Sequence, residues 1–352
     1  MVQGANKNIR QLSREELEAY FEEIGEKKFR ARQVYEWLWA KQAQRFEDMT
    51  NLSKELRLQL AEHFTLPALT SDLTQHSSDG TLKSRFRTVD GHLVEGVLIP
   101  TDDRKTACVS SQIGCSLSCK FCATGYMDRK RNLEFDEIYD EVVLINQQSE
   151  KVYGKKLTNI VFMGMGEPLL NYKNVLKAIE MISSPDGLGM SPRRITVSTA
   201  GVSKMIRQLG DDKVRFKLAL SLHAANDAKR HEIMPINDSN DIKSLIGALN
   251  YFYQQTGNEI TFEYILFKDF NDSLKDAEEL VSLYRKVPAD LINIIEYNPI
   301  DLASFEKPEE DKVMQFMQYL EKHRVNVRLR RSRGKDIDAA CGQLANKDTI
   351  KP

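Results

Sequence analysis

Between residues 106 and 331 the chain alternates β-prone and helix-prone segments, and this alternation limits its fold more than any other feature. The runs TACVSS, LTNIVFMGM, RRITVST, VRFKLALSLH, EITFEYILF and LINIIEYNP predict strands, with VNVRLR as a seventh. Stretches with apolar residues at helical spacing separate them, such as FDEIYDEVVLINQQ, YKNVLKAIEMI and LKDAEELVSLYRK. Repeated βα units imply a parallel sheet covered by helices, either a barrel or an open doubly wound sheet. Polar and glycine-rich groups recur at the C-terminal ends of the predicted strands: Gly164 to Glu167, Ser198 to Gly201, and Ser221 to His223. Barrels of this kind carry their chemistry there.

The segment before this core reads differently. Residues 1–66 predict helices: Ser13 to Glu16 form a capping-box pattern ahead of LEAYFEEI, and FRARQVYEWLW and LSKELRLQLAEHF follow. Lys27, Lys28, Arg30 and Arg32 cluster at a helix start, which fits a solvated face as well as an RNA contact. Residues 67–105 predict a β-extension, because LKSRFRTV and HLVEGVLIP flank the turn dipeptide Asp90-Gly91. The division expected is therefore 1–66, 67–105 and a core at 106–352. A net charge of −1 gives no general support for a nucleic-acid partner, yet leaves room for a local basic groove. No apolar run reaches membrane-spanning length and the first residues carry no hydrophobic leader, so a cytoplasmic protein without a membrane partner is expected.

Five cysteines are too few for a disulfide scaffold at 352 residues, which points to reduced, working thiols. Cys115, Cys119 and Cys122 form C-x3-C-x2-C just after the first core strand. A structural zinc site wants a fourth ligand, and the next histidine is the distant His223. Three cysteines on a [4Fe–4S] cluster leave one iron open instead, which is what S-adenosylmethionine needs in order to chelate. Cys108, alternating on a strand, and Cys341, in DIDAACGQL, read by themselves as small buried hydrophobes.

CVSSQIGCSLSCKFCATG resembles the cluster loop of the radical S-adenosylmethionine (SAM) superfamily. Together with GMGEPLLN, RRITVSTAGV, LALSLHAAND and DIDAACGQL, it is similar to the RlmN/Cfr group of RNA adenine methyltransferases. The likeness covers nearly the whole chain, the helical segment included. It implies an α/β fold, a partial (β/α)6 barrel with a small N-terminal helical accessory domain and a short β-extension. It also implies one [4Fe–4S] cluster per chain, held by Cys115, Cys119 and Cys122, and two SAM molecules consumed per methylation. By the same resemblance Cys341 accepts a methyl group, Cys108 later resolves an RNA–protein adduct by forming a disulfide with Cys341, and Glu95 takes up the ring proton, a part Cys108 could also play. Gly166, Glu167, Ser198, Ser221, Leu222, His223 and Asn298 match the family's SAM contacts, although His223 could equally be a strand-end histidine satisfied by backbone.

The implied substrates are adenine in 23S ribosomal RNA, at the peptidyl-transferase centre, and in tRNA, next to the anticodon, methylated at C2. A cellular one-electron reductant and a monomeric enzyme are expected. GEPLLN and VSTAGV are nearer to the C2-methylating RlmN type than to the Cfr type, which methylates C8 of the same ribosomal adenine. A metal-stabilised, non-catalytic RNA-binding module is the alternative of another class. Local basic surface is expected at Arg129, Lys130 and Arg131 beside the cluster loop, and at Arg328, Arg330, Arg331 and Arg333, in a strip with seven Lys/Arg over residues 322–335. Arg328 and Arg330 alternate with Val327 and Leu329 and so share a face, though an edge strand kept charged against aggregation has the same pattern.

Overall fold

The computed structural model describes residues 7–347. Three helices come first: α1 (Arg14–Glu23), α2 (Phe29–Leu38) and α3 (Lys54–His63). The capping box forms as the pattern predicts, with Ser13 Oγ accepting from Glu16 N–H and Glu16 accepting from Ser13 N–H. The bundle packs on α4 (Phe135–Tyr153) of the core: Trp39 stacks on Phe135, and Tyr139 donates to Trp39 O at 2.8 Å. Beneath them Arg10, almost fully buried, reaches Asp140 at 2.7 Å. Burial raises the Asp140 carboxyl while the guanidinium opposes the rise, so this pair fixes orientation more than it stabilises.

The chain then enters one ten-stranded sheet. Strands β1 (Thr70–His76), β2 (Leu82–Arg87) and β3 (Leu93–Pro100) form an antiparallel meander, and β3 pairs with β4 (Lys105–Cys108). The turn at Asp90-Gly91 joins β2 to β3, and Gly91 adopts φ +83°. The strand β1 was not signalled: its residues are mostly exposed or half-buried and carry no apolar alternation.

From β4 onward every pairing is parallel: β5 (Asn159–Phe162), β6 (Ile195–Thr199), β7 (Lys217–Ser221), β8 (Ile260–Leu266), β9 (Leu291–Glu296) and β10 (Val327–Arg330). The intervening helices are α4, α5 (Tyr172–Ser183), α6 (Ser203–Asp211), α7 (Asp227–Ile233) with α8 (Ile242–Thr256), α9 (Leu274–Tyr284) and α10 (Glu310–Lys322). Spatial order equals chain order. Every crossover thus steps the same way, and with right-handed units the helices cover one face. A doubly wound sheet reverses direction midway, so the geometry is that of a partial barrel with six βα units and a closing strand, open between β10 and the meander.

Side-chain alternation separates the two faces of this sheet. Ile160, Phe162, Val197, Leu218, Leu220, Phe262, Tyr264, Ile292 and Ile294 are buried in the apolar core. Their neighbours Thr106, Cys108, Thr196, Lys217, Thr261, Glu263, Asn293, Arg328 and Arg330 line an interior cavity of about 600 Å³. A filled barrel places branched apolar residues there. This one is hollow, and polar and charged side chains share its lining with apolar ones. Among the described residues no helix is long and apolar enough to cross a membrane.

Candidate active site

The three-cysteine loop leaves the core just after β4. A short antiparallel pair, Gln112–Ile113 with Arg131–Asn132, brackets it. Inside the loop, Gly125 N–H donates to Cys122 O, and a Cβ on Gly125 would lie 2.7 Å from Cys119 O, so the coil closes too tightly for a side chain. Cys115, Cys119 and Cys122 all line a cavity of about 150 Å³ at the C-terminal ends of the strands. Burial raises all three thiols, Cys115 to about 11. Three thiolates at this place therefore require a cationic centre to displace their protons, and a cluster bound by three cysteines fits the donor set. Among the described residues no group of three or more His, Cys, Asp and Glu is set to hold a single metal ion, so the fit to a cluster of several irons rests on the three cysteines lining one cavity.

The opposite wall of that cavity comes from strand ends. Gly166, at φ +94°, lies against Gln112, where an added Cβ would stand 2.5 Å from Gln112 Cβ. Gln112 Oε1 in turn accepts from Glu167 N–H at 2.8 Å. The buried Glu167 carboxylate accepts from Leu169 N–H and, at 2.7 Å, from Ala200 N–H, tying the loop after β5 to the loop after β6. Ser198 and Ser221 face each other at 3.3 Å across β6 and β7. His223 lines the cavity, with φ +55° and Nδ1 accepting from Ile265 N–H at 3.1 Å. Burial lowers its pKa to about 3, so the ring is neutral. Leu222 and Asn298 lie off this wall: Leu222 is in the apolar core, and Asn298 donates to Glu296 O and to Cys341 O, each at 3.3 Å.

The C-terminal segment brings Cys341 to the same place. Gly342 O accepts from Ala123 N–H at 2.7 Å, and Leu344 O accepts from the Thr124 hydroxyl at 2.7 Å, so this loop is fastened to the cluster loop. Cys341 and Cys122 line both cavities, and Cys108 lines the larger one. Burial, and then Cys341, raise the Cys108 thiol, while Arg330 opposes the rise.

Glu95 is 2% exposed and lines neither cavity. Its Oε2 accepts from Ala345 N–H at 2.9 Å and Asn346 N–H at 3.2 Å, with Lys83 3.7 Å from Oε1. An alternating strand usually turns such a glutamate to solvent; here it is an anchor for the Cys341 loop.

The basic residues divide. Arg129, Lys130, Arg328 and Arg333 are exposed, with Arg333 donating to Asp79 O. Arg331, also exposed, pairs with Glu310 at 2.7 Å. Arg131 is held by Asp90 and Glu137 at 2.7 and 2.6 Å. Arg330 points into the barrel, where it meets Glu263 at 3.4 Å and Met163 Sδ at 3.5 Å, and the charges of Cys341, Glu263 and Cys108 favour its cationic form. Glu263 went unnoticed in the sequence. Its signal is an acid inside the apolar run EITFEYILF, and Asn293 completes its set at 2.7 Å.

Comparison with known proteins agrees with this arrangement. Residues 7–66 match the model of the ribosomal RNA large subunit methyltransferase N-terminal domain, and residues 109–295 match the radical SAM superfamily. A protein of Cytophaga hutchinsonii, named probable dual-specificity RNA methyltransferase RlmN, is 59% identical over 342 residues, covering 97% of this chain and 93% of its own. The chain belongs to the RlmN family of radical SAM RNA methyltransferases. The dual-specificity RNA methyltransferase RlmN of Geotalea uraniireducens is 42% identical, with 97% of each chain covered. The crystal structure of a radical SAM methyltransferase from Sphaerobacter thermophilus superposes with a TM-score of 0.90 at 40% identity, over 96% of this chain and 98% of that one. The family implies a [4Fe–4S] cluster and SAM, and it sets aside the non-catalytic module.

Proposed function

We propose that this enzyme methylates C2 of adenine in 23S ribosomal RNA and in tRNA through a methyl group carried on Cys341. The observation that supports it is the convergence of Cys341, Cys108 and the cluster-loop residue Cys122 on one cavity, although more than 200 residues of chain separate Cys341 from that loop. In this reading Cys115, Cys119 and Cys122 hold the cluster, and Gly166, Glu167, Ser198, Ser221 and His223 shape the SAM site, with Leu222 packed in the core behind it and Asn298 holding the Cys341 loop. Bound there, the cluster and SAM supply a methyl group and, from a second SAM with one external electron, the means to remove a hydrogen atom.

C2 of adenine lies between two ring nitrogens and is too electron-poor to attack a sulfonium methyl. Cys341 thiolate takes the methyl first, by direct displacement. Loss of a hydrogen atom from that S-methyl group leaves a carbon radical, which adds to C2 and links RNA to Cys341. Loss of one electron to a one-electron acceptor, and of the ring proton to a protein base, restores aromaticity. Cys108 then gives up its proton and attacks Cys341 sulfur as thiolate. The carbon–sulfur bond breaks with its electron pair passing to the methylene carbon, which takes up a proton to become methyl, and a Cys108–Cys341 disulfide remains for a cellular reductant to reopen with two electrons. Of the two proton acceptors considered, Cys108 lines the cavity and Glu95 does not. We therefore assign the ring proton to Cys108 and the anchoring of the loop to Glu95.

The larger cavity is of the size that accepts a nucleotide, with Arg328, Arg331 and Arg333 on its rim; Arg129 and Lys130 lie exposed beside the cluster loop. An adenine extruded from its stack reaches Cys341 by this route. The test is Cys108→Ala with RNA, SAM and reductant: a covalent RNA–protein adduct accumulates and turnover stops. Normal turnover without adduct sinks the assignment of Cys108. Mass spectrometry of digested wild-type product locates the methyl, and a dominant C8 product overturns the C2 reading.

A further inference from the structure

Arg230 on α7 is fully buried, and every hydrogen-bond acceptor around it is neutral. Its guanidinium donates to Ala200 O, Ser221 O, Leu222 O, Asn240 O and, at 2.9 Å, to Asn237 Oδ1. The nearby Asp227 carboxylate is occupied with Asn237 Nδ2 and Ile242 N–H. A buried cation answered only by carbonyls is costly, and such charges are ordinarily paired or matched by a bound anion.

The cluster loop rests directly on this helix. Lys120 N–H donates to Ile233 O at 3.0 Å, and Cys119 and Cys122 pack with Phe121, Ile233 and Met234. Three thiolates on a [4Fe–4S] core make it singly negative when oxidised and doubly negative when reduced. The cluster that this loop would hold is thus the candidate for the missing anion.

We propose that Arg230 is the built-in countercharge of the cluster, a positioning residue that stabilises its reduced form while clipping together the strand-end loops facing SAM. The inference rests on the reading that Cys115, Cys119 and Cys122 hold a cluster. Reduction adds negative charge beside a fixed, water-excluded cation, so Arg230 raises the reduction potential. Its carbonyl bonds to Ala200, Ser221 and Leu222 hold that cation in place, and they couple the cluster loop to the ends of β6 and β7.

The experiment compares wild type, Arg230→Gln and Arg230→Lys after anaerobic reconstitution. It measures iron and sulfide content, the midpoint potential by redox titration with electron paramagnetic resonance, and Tm with and without cluster. In Arg230→Gln the potential is expected to move to a more negative value, and the rise in Tm on loading to shrink. Arg230→Lys restores charge without the carbonyl fork, and is expected to return the potential toward wild type. A loaded Arg230→Gln protein with the wild-type potential and the wild-type Tm gain overturns the inference. Should Arg230→Gln fail to load, Arg230→Lys decides: loading supports a role for charge, and failure shows that only the fork matters. Absence of iron and sulfide from the wild type itself would instead refute the cluster reading.

Discussion

The two loops that meet at the active site are built on opposite plans. The cluster loop carries three cysteines within eight residues and is shaped largely from within, by Gly125, the Cys122 turn and its own short strand pair. The Cys341 loop carries one cysteine and is held from outside, by Asn298 after β9, Gln343 on Pro299 O, the cluster loop at Ala123 and Thr124, and Glu95 on β3. A loop that holds a cofactor gains from local rigidity. In the proposed mechanism the cysteine of the other loop is methylated, joined to RNA and then oxidised, which calls for anchors on several elements that keep its sulfur near its target.

The sharpest way to break this comparison is to remove a thiol from each loop. Cys119→Ala and Cys341→Ala are each expected to lower methylation by at least about a thousandfold. Their iron contents should differ: Cys119→Ala loses its cluster iron, whereas Cys341→Ala keeps it, with SAM still binding. Iron lost equally from both proteins would mean that Cys341 is a fourth ligand and that the division of labour is wrong.

Gly166→Ala tests the fixed side of the site. Its φ of +94° disfavours a side chain, and the new Cβ would meet Gln112 Cβ at 2.5 Å. Gln112 also holds Glu167 N–H, so the strain passes into the cavity wall. SAM affinity in the loaded enzyme, measured by calorimetry, is expected to fall about tenfold or more, an effect of ~1.4 kcal/mol. Unchanged affinity would show that the wall after β5 does not form the SAM site.

Glu95→Gln addresses the anchored loop. A carboxylate accepting two backbone N–H groups in a buried place contributes about 1.5–3 kcal/mol per charge-assisted bond, and an amide keeps only part of that. Amide hydrogen exchange at Ala345 and Asn346 is expected to quicken by roughly tenfold or more, with the amides of Cys122 and Gly125, bonded within the cluster loop, unchanged. Methylation should fall modestly if Glu95 is an anchor. A loss matching that of Cys108→Ala, with exchange unaltered, would return the ring proton to Glu95.

How much of this was readable beforehand follows the same contrast. The cluster loop, the glycine turn at 164–167 and the serines at the strand ends were legible because their geometry is local, set within a few residues. The barrel was legible from its alternation, though a doubly wound sheet stayed open until the uninterrupted strand order excluded it. The anchors were not. The bond from Glu95 to Ala345 spans 250 residues, and the Thr124 bond to Leu344 spans 220. Arg330 looked like part of a surface strip, and its partner Glu263 lies on another strand, so only the closing of the barrel turns that charge inward. Arg328 does share its cavity, as the alternation of β10 requires.

The smallest effect concerns His223, where the fixed wall approaches the barrel interior. Burial pulls the imidazole from an ordinary 6.5 down to about 3. The folded state therefore stays neutral while the unfolded chain takes up a proton as pH falls below 6.5. The contribution to stability is full above that value and is lost progressively as pH falls toward the folded value. Asn at this position tolerates the left-handed backbone and does not titrate. The Tm advantage of wild type over His223→Asn should accordingly be greatest near pH 7 and narrow toward pH 4. An advantage independent of pH would mean that the ring titrates alike in both states, and that its cavity is open to water.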